Sequence, residues 1–152
     1  MSDTSGIQNV EDGPAWGDVT ASSVSTFSLD GKVVDAKVVS VYDGDTVTIA
    51  TFCLDGVNCT AFKCRLIGIN TPEIRTRDKK EKVAGYAARD ALREVLEGRV
   101  VKVRCGPFDK YGRLLANIEA PGVGDVAEML VAQGHAMRYD GGRRLPFYQW
   151  EI

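Results

Sequence analysis

The chain has 152 residues, of which 44% are hydrophobic, and this is enough for one domain with a single core. Its apolar runs are strand-sized, and none approaches the roughly 20 residues of a membrane span, so we expect no membrane partner. We also expect a monomer. Residues 1–5 have neither a basic region nor an apolar region typical of a secretory signal. An intracellular location is therefore favoured.

The formal net charge is −2 and the sequence pI is about 5.4, but the charge is unevenly distributed. Residues 1–30 mix Ser, Thr and Gly without periodicity and contain no Lys or Arg, and they hold five acids: Asp3, Glu11, Asp12, Asp18 and Asp30. We predict a disordered acidic tail over 1–30. The remaining 16 acids and 19 bases give the predicted domain, residues 31–152, a formal charge of +3, which permits a polyanionic partner.

The periodicity of the domain predicts an α+β fold that is mainly β. Strands are predicted over 33–41, 46–49, 61–69, 100–104 and 114–118, with a hairpin turn at Asp55-Gly56. A longer helix ends near Gly98, and a short one runs from Asp125 to Gly134. The apolar face of the longer helix comprises Ala84, Ala87, Ala88, Ala91, Leu92, Val95 and Leu96. This order suits a five-stranded barrel of the oligonucleotide/oligosaccharide-binding type (OB-fold).

The four cysteines have spacings that match neither a zinc site nor a redox motif. Cys64 alternates with Phe62 and Leu66 and is predicted to be a core residue. Cys53 and Cys59 flank the predicted hairpin turn and could form a disulfide in an oxidising compartment.

Three short segments carry the residue types that phosphodiester cleavage needs. The first is Asp43-Gly44-Asp45-Thr46, which is either a turn or a source of carboxylate ligands for a hard cation. The second runs from Arg65 to Asn70-Thr71-Pro72-Glu73. Arg65 has the strand parity of Ile67, so its guanidinium either points towards the barrel wall or faces the surface.

The third segment is Asp109-Lys110-Tyr111-Gly112-Arg113, which is either a charged hairpin turn or a source of a second guanidinium for a phosphate. A basic run follows Glu73 and is either a solvated loop or an electrostatic guide for a polyanion; it comprises Arg75, Arg77, Lys79, Lys80 and Lys82.

Residues 33–140, with these segments in this order, resemble the staphylococcal nuclease (thermonuclease) family. The resemblance implies that Asp45, Asn70 and the Thr71 carbonyl hold Ca²⁺, with Asp43 nearby, and that Glu73 acts on the attacking water. Asn70 stands where the family carries Asp, which predicts a weaker metal site because an amide supplies a dipole instead of a full charge.

The same resemblance implies that Arg65 and Arg113 clamp the phosphate and that Lys110, Tyr111 and Tyr139 contact the substrate. The expected activity is a Ca²⁺-dependent endonuclease that cleaves single-stranded or frayed DNA, and RNA, to leave 3′-phosphates. Two alternatives remain open: a nucleic-acid-binding module with little or no turnover, and a protein-interaction module built on the same barrel.

Overall fold

A computed structural model describes residues 15–152 of the chain. The predicted disorder of residues 1–14 lies outside this range. The strands are β1 (Val33–Val41), β2 (Thr46–Thr51), β3 (Thr60–Leu66), β4 (Ile69–Asn70), β5 (Val100–Phe108), β6 (Leu114–Ala120), β7 (Gly124–Asp125) and β8 (Met137–Arg138). The helices are α1 (Lys79–Leu96) and α2 (Val126–Ala132), with 3₁₀ turns at Trp16–Asp18 and Phe147–Gln149.

Five strands close into a barrel, as the sequence predicts. The sheet runs β3-β2-β1-β5-β6, with the short β7 beside β6, and a parallel pairing of β3 with β6 closes it at Cys64 and Leu114. Register irregularities between Val38 and Ser40 in β1 and between Cys105 and Phe108 in β5 bend these two strands. The antiparallel pairing of β2 with β3 confirms the hairpin at Asp55-Gly56.

The core fills the barrel and extends beneath both helices. In β2, for example, Val47, Ile49 and Thr51 are buried and alternate with half-buried neighbours. Helix α1 begins after the N-cap Asp78 and α2 after the N-cap Asp125. Between residues 15 and 152 neither helix is long and apolar enough to cross a membrane.

The buried face of α1 differs from the predicted one at two positions. Ala88, Leu92 and Leu96 are buried as predicted. Ala87, which was predicted to be buried, is exposed, and Gly85, which was not, is buried. A pattern built on apolar side chains overlooks Gly85, because its contacts are made by backbone.

The third predicted strand, 61–69, is divided into β3 and β4. Gly68 adopts a φ of 85° in a turn, and β4 then pairs with β8 instead of continuing the barrel. Glycine reaches this left-handed region at little cost, so the chain can leave the barrel wall here. The turn delivers Asn70 and the residues after it to the edge of the barrel.

The packed part of the chain begins before residue 31. Leu29 is only 2% exposed and belongs to the core, and the ring of Phe27 lies 6.0 Å from that of Phe108. Residues 15–26 are exposed. Two apolar side chains in a polar stretch give no periodic signal, so Phe27 and Leu29 were predicted to be part of the tail.

The described cysteines are all free thiols, so the Cys53–Cys59 disulfide is not formed in this structure. Cys64 is fully buried, as predicted, and burial raises the pKa of its thiol to about 12.

Candidate active site

Two loops that are distant in sequence meet beside α1. Asp45, only 8% exposed, accepts a hydrogen bond on Oδ2 from the Thr71 backbone N–H at 3.1 Å. Gly44 allows this approach, because a Cβ there would lie 2.8 Å from side-chain carbons of both Thr71 and Ala88. The loop between β1 and β2 is thereby fixed against the segment that follows β4.

Gly85 brings α1 against that same segment. A Cβ on Gly85 would lie 2.9 Å from the carbonyl oxygens of Pro72 and Glu73, so only glycine fits without moving the backbone. The helix therefore supports the main chain that carries Glu73. A glycine inside a helix was the available signal for this contact, since it costs about 1 kcal/mol relative to alanine and implies a packing reason.

Arg65 links the segment after β4 to the first loop. Its Nη2 donates to Asn70 Oδ1 at 2.7 Å and lies 3.5 Å from Asp45 Oδ2, and its Nη1 donates to the Leu66 carbonyl at 2.6 Å. Cys64 and Leu66 point into the barrel, so Arg65 points away from it, with a side chain only 14% exposed. Of the two orientations that the sequence left open, Arg65 shows neither a barrel-facing nor a fully exposed side chain, because the inward parity of β3 belongs to Cys64 and Leu66.

The outer face of Arg65 lines a groove of about 430 Å³. Arg113 lines it too, and the Asp109 carboxylate orients this second guanidinium through a 2.7 Å contact between Oδ2 and Nε. The other oxygen of Asp109 accepts from the backbone N–H groups of Tyr111 and Arg113, which shapes the turn before β6. Two guanidiniums, one from β3 and one from the turn before β6, thus line one groove.

The predicted substrate-contacting residues divide into two groups. Tyr139 lines the groove; its backbone N–H donates to the Gly68 carbonyl and its hydroxyl to the Gly142 carbonyl. Lys110 and Tyr111 do not line it. They lie at the exposed tip of the β5–β6 turn, where Tyr111 is 71% exposed with its ring centre 5.4 Å from the Arg113 guanidinium.

Arg144 is a third guanidinium in this groove, and the sequence analysis missed it. Its Nη2 donates to the Thr71 carbonyl at 2.9 Å and lies 3.5 Å from a Glu73 carboxylate oxygen and 3.6 Å from Glu81. The guanidinium also lies 4.9 Å from the Trp150 ring centre. No local motif marks Arg144, because it reaches the site from beyond β8.

Glu81 anchors the Glu73 segment from the first turn of α1. Its Oε2 accepts from the Glu73 backbone N–H at 2.9 Å, and the Thr76 hydroxyl lies 3.4 Å from its other oxygen. The Glu73 side chain itself is about half exposed, at 51%. Glu73 therefore has a fixed backbone and a carboxylate that solvent can reach.

The oxygen atoms near Asp45 are of the kind that a hard divalent cation accepts. They come from the carboxylates of Asp43 and Asp45, the Asn70 amide and the Thr71 carbonyl, and the last two already accept hydrogen bonds from Arg65 and Arg144. Burial, and then the adjacent charge of Asp45, raises the pKa of Asp43 to about 7. Within residues 15–152, no cluster of three or more His, Cys, Asp or Glu side chains could hold a metal ion, so a site here relies on two carboxylates and neutral oxygens.

Comparisons with known proteins identify a family model and several relatives. The family model described as staphylococcal nuclease homologue matches residues 63–147. A protein named uncharacterized endonuclease from Escherichia coli O157:H7 is 29% identical over 107 residues, covering 70% of this chain and 62% of that protein, and its Escherichia coli counterpart gives the same values. An uncharacterized protein of Methanocaldococcus jannaschii is 34% identical over 102 residues, covering 54% of this chain and 46% of that protein. The chain thus spans less than two thirds of each of these relatives.

Proposed function

We propose that this chain, which belongs to the staphylococcal nuclease family, hydrolyses phosphodiester bonds of nucleic acids in the groove between Arg65 and Arg113. The observation that carries the proposal is the convergence of three guanidiniums on one groove beside the Glu73 segment. A phosphate is the ligand that planar, permanently charged guanidiniums suit best. The relatives named endonuclease support the same reaction class.

Arg65 and Arg113 bind the phosphate that is attacked. Both guanidiniums donate hydrogen bonds to protein groups. Arg65 donates to Asn70 and the Leu66 carbonyl, and Arg113 donates to Asp109, so both guanidiniums are already oriented when the substrate binds. Charge that develops on the phosphate oxygens in the transition state is then stabilised without reorganisation of the protein. Glu73, which does not itself line the groove, accepts a proton from the attacking water, because its carboxylate is half exposed and lies 3.5 Å from Arg144 of the groove wall.

Ca²⁺ is the proposed cofactor, held by the carboxylates of Asp43 and Asp45 with oxygens of Asn70 and Thr71. When bound, it supplies positive charge for the substrate phosphate. The carboxylates of half-buried Asp43 and buried Asp45 repel each other, and the hydrogen bond from the Asp45 N–H to Asp43 Oδ1 at 3.1 Å keeps them together. A cation relieves that repulsion.

The proposed substrates are single-stranded or frayed DNA and RNA, with 3′-phosphate products. A groove of about 430 Å³ has the volume of a small-molecule site, which suits an unpaired nucleotide better than a duplex. The phosphate contacts proposed for Arg65 and Arg113 involve no base or sugar group, so they favour neither DNA nor RNA.

A second candidate is a nucleic-acid-binding module without turnover. Asn70 and Thr71 favour it, because their oxygens accept hydrogen bonds from Arg65 and Arg144, which compete with a cation for them. This alternative keeps the arginine groove and loses only the metal-dependent step.

Digestion of a single-stranded oligonucleotide with Ca²⁺ and with a chelator separates the candidates. For the nuclease we expect cleavage with Ca²⁺, none with the chelator, and a loss of cleavage in Glu73→Gln. Binding of the same oligonucleotide without cleavage under either condition would favour the binding module. End-group analysis of the products tests the 3′-phosphate.

A further inference from the structure

A second groove, of about 530 Å³, lies between the end of β1 and one face of α1. Its wall includes four cationic side chains and two tyrosines and contains no Asp or Glu: Tyr42, Arg75, Lys82, Tyr86, Arg89 and Arg93. The proposed active site uses none of these residues. We call this surface the β1–α1 groove.

The charge of the β1–α1 groove is only partly offset by the protein. Arg89 pairs with Asp90 at 3.2 Å, and the Nε of Arg93 is buried 4.0 Å from Glu97. Within residues 15–152, Arg75 and Lys82 form no ion pair. The groove therefore retains cations that a polyanion can neutralise.

Two exposed aromatic rings accompany these cations. Tyr42 is 57% exposed and Tyr86 is 39% exposed. The Arg89 guanidinium lies over one face of the Tyr86 ring, 4.5 Å from the ring centre, and this contact orients the ring. Exposed aromatic rings interspersed with cations are the surface on which proteins stack the bases and bind the phosphates of single strands.

The β1–α1 groove adjoins the proposed active site. Asn70 lines the first groove and Ile74 lines the second, and Glu73 lies between them in sequence. Four residues span at most about 14 Å of backbone, which is a short distance for an extended single strand. One strand can therefore reach both grooves.

We propose that the β1–α1 groove binds single-stranded nucleic acid outside the cleavage site, with phosphates on Arg75 and Lys82 and bases on Tyr42 and Tyr86. That the bound strand continues into the active site rests on the proposed nuclease function. Binding in the groove itself needs only the cations and rings described above. The groove then favours substrates long enough to fill both sites.

The test compares two double variants of the groove with a control variant. The control loses the same charge as the first of the two groove variants. Arg75→Gln/Lys82→Gln removes the proposed phosphate contacts, and Tyr42→Ala/Tyr86→Ala removes the proposed stacking. The control, Lys37→Gln/Lys63→Gln, removes two exposed lysines that line neither groove. Fluorescence anisotropy with chelator present measures the affinity of the full chain for an oligothymidylate of about 20 nucleotides.

We expect each groove variant to weaken binding of the oligonucleotide about fivefold or more, while the control variant binds as tightly as wild type. The charge variant should also reduce the slope of log K against log salt by about 1.4. These readouts involve no cleavage, so they hold even if the chain proves not to be a nuclease. Groove variants that bind as tightly as the control would overturn the proposal, and this result would leave an acidic protein as the candidate occupant.

Discussion

Single side chains at this site are held in place by partners, and those partners determine what each substitution changes. Arg65 is bound to Asn70, Arg113 to Asp109, and Glu73 lies beside Arg144. A substitution at any of these positions therefore changes both a proposed chemical role and the geometry of a neighbour. Each experiment at this scale needs a measurement of folding beside a measurement of rate.

Removing a proposed chemical group should abolish most of the turnover. We expect Glu73→Gln, Arg65→Ala and Arg113→Ala each to lower kcat about 10²-fold or more, because each group acts mainly on the transition state. Lys63→Ala, on the outer face of β3, serves as the control. Oligonucleotide cleavage measures the rate and thermal melting measures folding; variants that melt normally and retain activity within a few-fold of wild type would contradict the assigned roles.

Arg144 should act by positioning Glu73. Replacing it with Gln removes the guanidinium shared by Thr71, Glu73 and Glu81, so we expect kcat to fall about tenfold or more. Arg144→Lys, which keeps the charge, should recover part of the loss. A change confined to KM would instead assign Arg144 to substrate binding alone.

Asn70 should limit the affinity for Ca²⁺. We expect Asn70→Asp to tighten Ca²⁺ binding, since a full charge near 4 Å is worth at most about 4 kcal/mol at an effective dielectric of 20. Arg65, which donates to this side chain at 2.7 Å, will neutralise part of that charge, so about tenfold is a reasonable expectation. Calorimetric titration measures the dissociation constant, with Asn117→Asp on β6 as a control of equal charge. An unchanged or weaker constant would show that position 70 is not a ligand.

Whole elements hold the site together through two close backbone contacts. Gly44 and Gly85 let α1 and the first loop approach the segment 70–73 more closely than any side chain would allow. The contact at Gly85 is with carbonyl oxygens, which cannot rotate away as a flexible side chain can. The position of Glu73 is thus determined by how closely α1 packs.

Gly85→Ala should test this packing. Alanine favours a helix by about 1 kcal/mol, yet we expect a net loss of about 1–3 kcal/mol in the free energy of unfolding, together with reduced cleavage. Gly17→Ala is the control, because a Cβ there meets no atom within 4 Å. Denaturant melting measures both variants. A more stable Gly85→Ala variant with full activity would show that the helix does not position Glu73.

At the scale of the whole molecule, the acidic N-terminal part divides near Phe27. Residues 1–24 carry four of the five acids, whereas Leu29 belongs to the core. We expect deletion of 1–24 to leave the melting temperature unchanged and to raise affinity for DNA at low salt, because negative charge is removed. Leu29→Ala should cost about 2–5 kcal/mol. A deletion that lowers the melting temperature would mean that residues before Phe27 also stabilise the fold.

Much of the barrel could be predicted because its strands have strong local signals. The period of two in β2 and β3, the Asp55-Gly56 turn and the N-cap Asp125 each act within a few residues, and the structure agrees with them. The third strand was predicted too long because the turn at a single glycine, Gly68, takes the chain out of the barrel wall inside an otherwise continuous strand pattern.

The sequence by itself determined the fold class, since periodicity and turn residues specify strands and helices locally, and its three short segments carried the resemblance to the family. The tertiary structure alone decided which face of β3 carries Arg65, that Gly85 and not Ala87 is buried, and that Arg144 reaches Thr71 across 73 residues of sequence. These features depend on close packing and on contacts between distant segments, and neither leaves a periodic pattern in the chain.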